Sequence, residues 1–370
     1  MTKQRRYDLD WLRVISVFAV FLHHVLMPFN GDNFHIMNNT HSKLLDDIMV
    51  YFEQFRLPLL FFISGVGTVF AFSKRNWISF IKERMLRLLI PLVFGVLFLI
   101  PPQTFFESIS KYKNYFSSYP VLVSKLKVNH LWFIENLFFM SIFFISFVIF
   151  IKSSKSKNFK KWIRVKTDKY GIISWVIFLI AIRIITKEFF PSNSKSFFNL
   201  STTFYFGFFF FSGILISNVD QLWSLILNKR KLNFKLTIIF SLLFYAYYFL
   251  PSEFIKPYVA LSNRWRLWYL VCALLSWSMI TTILGYSQVL LSKKSNLLVK
   301  LNEGIYPFYM LHQTIIVVLA YYIVKINLSV ATKIVLLLIS SFLLILFCYV
   351  FLIRPFKFVR ILFGMKSKNI

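Results

Sequence analysis

The chain reads as an all-α, polytopic membrane protein with about ten transmembrane helices and both termini in the cytoplasm. Three observations carry that reading. Of 370 residues, 58% are hydrophobic and only 15% are charged, whereas a soluble domain places about a quarter of its residues among Asp, Glu, Lys and Arg. The apolar residues fall in long windows, most of them near the roughly 20 residues that a helix needs to cross a bilayer. The 43 basic and 14 acidic residues leave a net charge of +29, and that excess lies in the short connections between the windows. Such a charge on a soluble protein would point to nucleic acid, but no RNA- or DNA-binding signature accompanies it, and nucleic acid is not expected as a partner. Cys272 and Cys348 both sit inside apolar runs, so neither a disulfide framework nor a metal site is expected.

The windows run 11–29, 48–72, 86–101, 131–151, 170–186, 199–217, 234–250, 267–291, 304–324 and 331–352. The first ends at Met27-Pro28-Phe29 without a small-x-small cleavage site and is long enough to span, so it reads as a retained helix with Arg5-Arg6 as its cytoplasmic flank. The second is the least regular, because Glu53, Gln54, Arg56 and Pro58 interrupt it before the FFISG run at 61–65. The cluster 152–169 reads as a basic cytoplasmic loop lying against anionic headgroups. In the ninth window Gly304 is expected to mark the loop end and Pro307 to sit in the first helical turn, where a missing N–H is tolerated. Residues 353–370 form a basic cytoplasmic tail after a single membrane domain whose core is 7–352. With the N terminus inside, the alternate inner segments carry 29 Lys and Arg and the outer ones 12, the bias that sets orientation.

Function in such a protein is sought where polar groups lie at depth, because hydrocarbon penalises them unless they have a partner or a wet cavity. Arg13 and His24 are eleven residues apart, which at about 100° per residue puts them on one face of the first span, about 16 Å apart along its axis. Asp10 shares that face and can pair with Arg13. His23 points elsewhere and is expected to make an ordinary interhelical contact. Arg84 and Arg87 lie on one turn near the cytoplasmic boundary, which suits topology determinants and a phosphorylated ligand equally. Glu135 falls at the same depth as His24, as a partner for it or for an outer cation. Arg56, Tyr309 and His312 are candidates for substrate contact or structural polarity, with Tyr306 and Gln313 as interhelical contacts. Trp265 and Trp268 read as interfacial aromatics.

LDWLR at 9–13 followed by His24, then FFISG, RMLRLLIP at 84–91, HLWFIENLFF at 130–139 and YPFYMLHQ at 306–313 together resemble the acyltransferase 3 family of polytopic bacterial membrane proteins. Within it, HLWF and YPFYMLHQ look most like the periplasmic-glucan succinyltransferase branch. The resemblance implies a ten-helix bundle in the bacterial cytoplasmic membrane that transfers an acetyl or succinyl group from acyl-coenzyme A to a hydroxyl of an extracytoplasmic glycan. Arg13 and His24 match the family's first-span pair, and Arg84 and Arg87 its Arg-x-x-Arg element. On that expectation His24 serves as base, or carries an acyl-histidine intermediate, with Glu135 at matching depth as its partner and coenzyme A phosphates near Arg84, Arg87 and Arg13. A glycan transporter or flippase would share the spans and the buried His and Arg. A glycosyltransferase, with Glu135 as base, would need a paired acidic motif in the first outer loop, where Asp46 and Asp47 adjoin a span and read as flanking residues.

Overall fold

A computed structural model describes residues 5–73 and 75–366. Lys74 and residues 367–370 of the expected basic tail lie outside the described residues, as do residues 1–4. Every regular element among the described residues is helical, as expected where hydrocarbon requires each backbone group to be paired within its own segment. The principal helices are α1 (Tyr7–Leu26), α2 (Lys43–Glu53), α3 (Arg56–Phe72), α4 (Trp77–Glu107), α5 (Tyr115–Ser124), α6 (Trp132–Phe143), α7 (Ile145–Lys152) and α8 (Lys157–Tyr170). They continue as α9 (Val176–Phe189), α10 (Leu200–Ser217), α11 (Asp220–Asn228), α12 (Arg230–Tyr248), α13 (Leu261–Leu290), α14 (Asn296–Ile323), α15 (Val330–Phe347) and α16 (Lys357–Leu362).

Seven stretches among the described residues are long and apolar enough to cross a membrane: Tyr7–Phe29, Lys43–Phe72, α4, α10, α13, α14 and Val330–Ile353. An eighth arises if Tyr115–Phe143 and Ile145–Lys152 are one broken span, bent by 48°. The windows 170–186 and 234–250 are helical too, as α9 and α12. However, α9 has 14 residues and includes Arg183, Lys187 and Glu188, and α12 opens on Arg230, Lys231 and Lys235. Arg183 interrupts the apolar stretch of α9 in mid-helix, and the three basic residues shorten that of α12 from its N-terminal end.

Two local expectations are corrected. The basic cluster at 152–169 is largely the helix α8, which ends at Gly171 with φ +76, a left-handed conformation that suits glycine at a helix C terminus. Pro307 lies well inside α14, because Ser295 caps an earlier start by accepting from the Leu297 N–H at 3.2 Å. Gly304 is therefore helical as well.

The chain gathers into two compact units, the first Met1–Arg13, Glu53–Trp77 and Phe139–Lys294, the second Val14–Phe52, Ile78–Phe138 and Ser295–Ile370. In the first, α10 packs along α3 at backbone contact: a Cβ on Gly65 would lie 2.0 Å from the Phe210 carbonyl oxygen, and one on Gly213 2.1 Å from that of Phe62. The glycine of FFISG is thus a helix-packing residue. Trp277 of α13 is fully buried, stacks on Trp175 and donates its indole N–H to the Ile172 carbonyl at 2.8 Å.

In the second unit α14 packs on α15 and on the distal part of α4, and Phe21 of α1 meets Phe308 of α14 with ring centres 5.1 Å apart. Helix α4 contains two π turns, Met85–Leu89 and Gly95–Leu99. Each ends just before proline, at Ile90-Pro91 and Ile100-Pro101-Pro102. Proline cannot donate and crowds the carbonyl four residues back, so the residue before it reaches one residue further: Ile90 N–H to the Met85 carbonyl and Ile100 N–H to that of Gly95. The C-terminal turn after α16 closes on this unit. Gly364, at φ +62, abuts the Tyr306 ring and the Arg87 carbonyl so tightly that a Cβ would lie 2.5 Å from Tyr306 Cε1. Arg360, 4% exposed, holds the turn through Glu303 at 3.1 Å and the Lys366 carbonyl at 3.0 Å.

Candidate active site

The second unit brings together two histidines that are 288 positions apart. His24 Nδ1 lies 2.8 Å from the Val20 carbonyl oxygen, one turn back on α1, and 3.3 Å from Nε2 of His312 on α14. The Nδ1 of His312 in turn bonds to the Tyr309 carbonyl oxygen. A carbonyl can only accept, so in the neutral rings both Nδ1 atoms carry the hydrogen. His312 Nε2 then accepts from His24 Nδ1, and the lone pair of His24 resides on Nε2. His312 is almost fully buried, whereas His24 is half-buried.

A shell of polar groups fixes the α14 side of this pair. Tyr309 donates its hydroxyl to the His130 carbonyl, and His130 donates Nε2–H to the Met310 carbonyl at 2.9 Å. His130 stands perpendicular to the His312 ring at 5.1 Å and receives a Gln103 amide hydrogen at Nδ1, at 3.4 Å. Gln103, fully buried, also donates to Thr314 Oγ1 at 2.8 Å and accepts from Asn129 and Gln313 at 3.0 and 3.1 Å. Asn129 has φ +40, a conformation that asparagine tolerates better than most residues, and it turns the chain so that His130 enters the core.

A second arm leads to the end of α4. The Phe34 ring lies 6.1 Å from that of His24 and 5.0 Å from that of His35. His35 accepts a Gln313 amide hydrogen at Nε2, at 2.9 Å, and donates Nδ1–H to Glu107 at 3.1 Å. Lys127 lies 3.9 Å from the same carboxylate oxygen.

At the other end of α4, one carboxylate serves two guanidinium groups: Glu83 is 3.4 Å from Arg84 and 3.3 Å from Arg87. Arg84 also covers the Phe80 ring at 4.8 Å. Tyr306 lies in the field of both arginines. The net charge of this cluster is positive, which suits an anionic ligand.

Of the other residues singled out from sequence, Glu135 is 8% exposed in the first turn of α6. Arg13 and Asp10 lie on α1 in the first unit, with Asp10 3.8 Å from Arg13 and 2.8 Å from Arg5. Arg56 also belongs to the first unit. Sequence reasoning missed Gln103, His130, His35, Glu107 and Glu83 as members of the site. Gln103 and His130 carried a usable signal, since each is a polar residue beside an apolar run. His35, Glu107 and Glu83 carried none.

A family model described as an acyltransferase domain, that of acyltransferase 3, matches residues 6–353. The chain belongs to the acyltransferase 3 family. This acyltransferase is therefore an enzyme of a membrane-embedded family, in keeping with its apolar helices. No curated protein and no solved structure matches it significantly.

Proposed function

We propose that this acyltransferase moves an acetyl or succinyl group from cytoplasmic acyl-coenzyme A to a hydroxyl of an extracytoplasmic glycan, in the bacterial cytoplasmic membrane. The observation that carries the reading is the His24–His312 pair: the Val20 carbonyl sets His24 in the tautomer a general base requires, and a buried imidazole accepts from the same Nδ1–H. The acceptor hydroxyl loses its proton to His24 Nε2 as its oxygen attacks the thioester carbonyl. His24 is then an imidazolium whose Nδ1–H remains bonded to Val20 and His312. Collapse of the tetrahedral intermediate expels the coenzyme A thiolate, which takes the proton back, so no net proton is released. His312 plays the orienting part that a carboxylate plays in other nucleophile–base–orienter sets. Arg84 and Arg87 bind the donor's phosphates, and Glu107 with His35 faces the acceptor. Glu135 contributes to the polar lining of the acceptor path.

The test is to incubate inverted vesicles containing wild type or His24→Ala with labelled acetyl- and succinyl-coenzyme A. Free coenzyme A and label in the glycan fraction are followed by mass spectrometry. Wild type should release coenzyme A and label glycan, and His24→Ala should do neither while inserting normally. Wild type that releases no coenzyme A in the presence of acceptor would favour a transporter, and a fully active His24→Ala would remove the base assignment.

A further inference from the structure

The first unit holds a second ionisable cluster that transfer at His24 does not use. Arg56 opens α3, directly after the helix break at Gln54 and Phe55, and is 5% exposed. Its Nη2 is 3.5 Å from Glu53, but its Nε and Nη1 are buried with no hydrogen-bond partner among the described residues. A hydrogen-bond chain runs from the break to a second guanidinium. Ser276 of α13 donates to the Gln54 carbonyl at 2.5 Å, and its hydroxyl is 3.2 Å from that of Tyr205 on α10. The Tyr205 ring carries Arg183 of α9 at 4.7 Å, and Tyr269 flanks the same guanidinium at 5.3 Å. Cys272, one turn before Ser276, lies in the field of both Arg183 and Glu53. Two cations are therefore held in one apolar unit, and the buried one has donors left unfilled.

Packing alone does not explain this. A guanidinium buried with unmade hydrogen bonds is costly, and an apolar side chain of similar length would fill the volume without that cost. Tyrosine faces around Arg183 are a cation–π environment that holds the charge in place without neutralising it. What the cluster lacks is a set of acceptor oxygens carrying negative charge, and carboxylates and phosphates supply both. We propose that Arg56, linked to Arg183 through Gln54, Ser276 and Tyr205, forms an oxyanion-binding site in the first unit, taking a phosphate or carboxylate group of a bound lipid or soluble ligand.

The experiment uses the full chain in neutral detergent at constant ionic strength, as wild type, Arg56→Gln and Arg183→Gln. Melting is followed in chloride alone, then with inorganic phosphate, with succinate, and with phosphatidylglycerol or phosphatidylcholine added to the micelles. In chloride, Arg56→Gln should melt no lower than wild type, because it removes a buried cation whose Nε and Nη1 have no acceptor and whose contact with Glu53 is a long one. One of the oxyanions should raise the wild-type melting temperature by several degrees and leave Arg56→Gln unmoved, so that the order of the two proteins reverses. Arg183→Gln should respond less than wild type. A response to phosphatidylglycerol but not to the soluble anions assigns a lipid headgroup, and one to phosphate or succinate assigns a soluble ligand. An Arg56→Gln protein that melts below wild type by the same amount in every buffer would make Arg56 a structural residue and overturn the proposal. So would a wild type indifferent to all the oxyanions, or equal shifts in wild type and Arg56→Gln.

Discussion

Replacing His312 by alanine separates the orienting histidine from the base it orients. The change removes the acceptor 3.3 Å from His24 Nδ1 and leaves the Val20 carbonyl, at 2.8 Å, as the remaining partner. The tautomer survives, since the carbonyl still requires a hydrogen on Nδ1. What is lost is one hydrogen bond to a ring that becomes cationic as it takes the acceptor's proton. A hydrogen bond to a charged group contributes about 1.5–3 kcal/mol, so kcat should fall about 10- to 100-fold. The Michaelis constant for the donor should change little. Loss of the base itself in His24→Ala should cost about 10²- to 10⁴-fold. The double variant should be no slower than His24→Ala, because His312 acts only through His24. Release of the coenzyme A thiol by purified protein, with abundance and melting measured alongside, reads all three. A His312→Ala rate within twofold of wild type would refute the reasoning. Additive losses in the double variant would also refute it, by giving His312 a role of its own.

Three further outcomes are expected. Gly65→Ala should destabilise the protein by about 3 kcal/mol or more, since its Cβ would meet the Phe210 carbonyl at 2.0 Å, while Gly67→Ala, with open space around it, should melt at or slightly above wild type; equal melting of the two would dismiss the close helix contact. Glu83→Gln should lower the apparent Michaelis constant for acyl-coenzyme A by unburdening Arg84 and Arg87, and reversal of both arginines to Glu should raise it at least about tenfold. Constants that do not move would return the pair to topology signals. Glu107→Gln should weaken use of the glycan acceptor and spare the donor constant, because His35 and Lys127 hold that carboxylate away from the arginine end of α4; a change confined to the donor constant would contradict it.

Much of the architecture is legible in the residues because bilayer crossing imposes length and apolarity on contiguous sequence. The break before FFISG, foreshadowed by Glu53, Gln54 and Pro58, is present at Gln54 and Phe55. Helix ends are less legible: Pro307 suggests a start that the Ser295 cap overrides from a dozen residues upstream. Of the candidate site, the stripe of Tyr309 and His312 follows from helical spacing. The meeting of His24 with His312 does not, since no periodicity links residues 288 positions apart. Glu107 and His35 are just as opaque, each being an ordinary polar residue at a helix end or in a loop until the fold brings them within 3.1 Å.

The two π turns of α4 have a consequence for descent. A π turn accommodates one residue more than the α-helix around it, so each is a place where the helix can take up a single-residue insertion without breaking. Aligned relatives are therefore expected to show one-residue gaps near 85–89 and 95–99 wherever the proline after the turn is absent. The spacing from Arg87 to Gln103 should then vary among them in single-residue steps, while the spacing from Gln103 to Glu107, beyond both turns, stays constant.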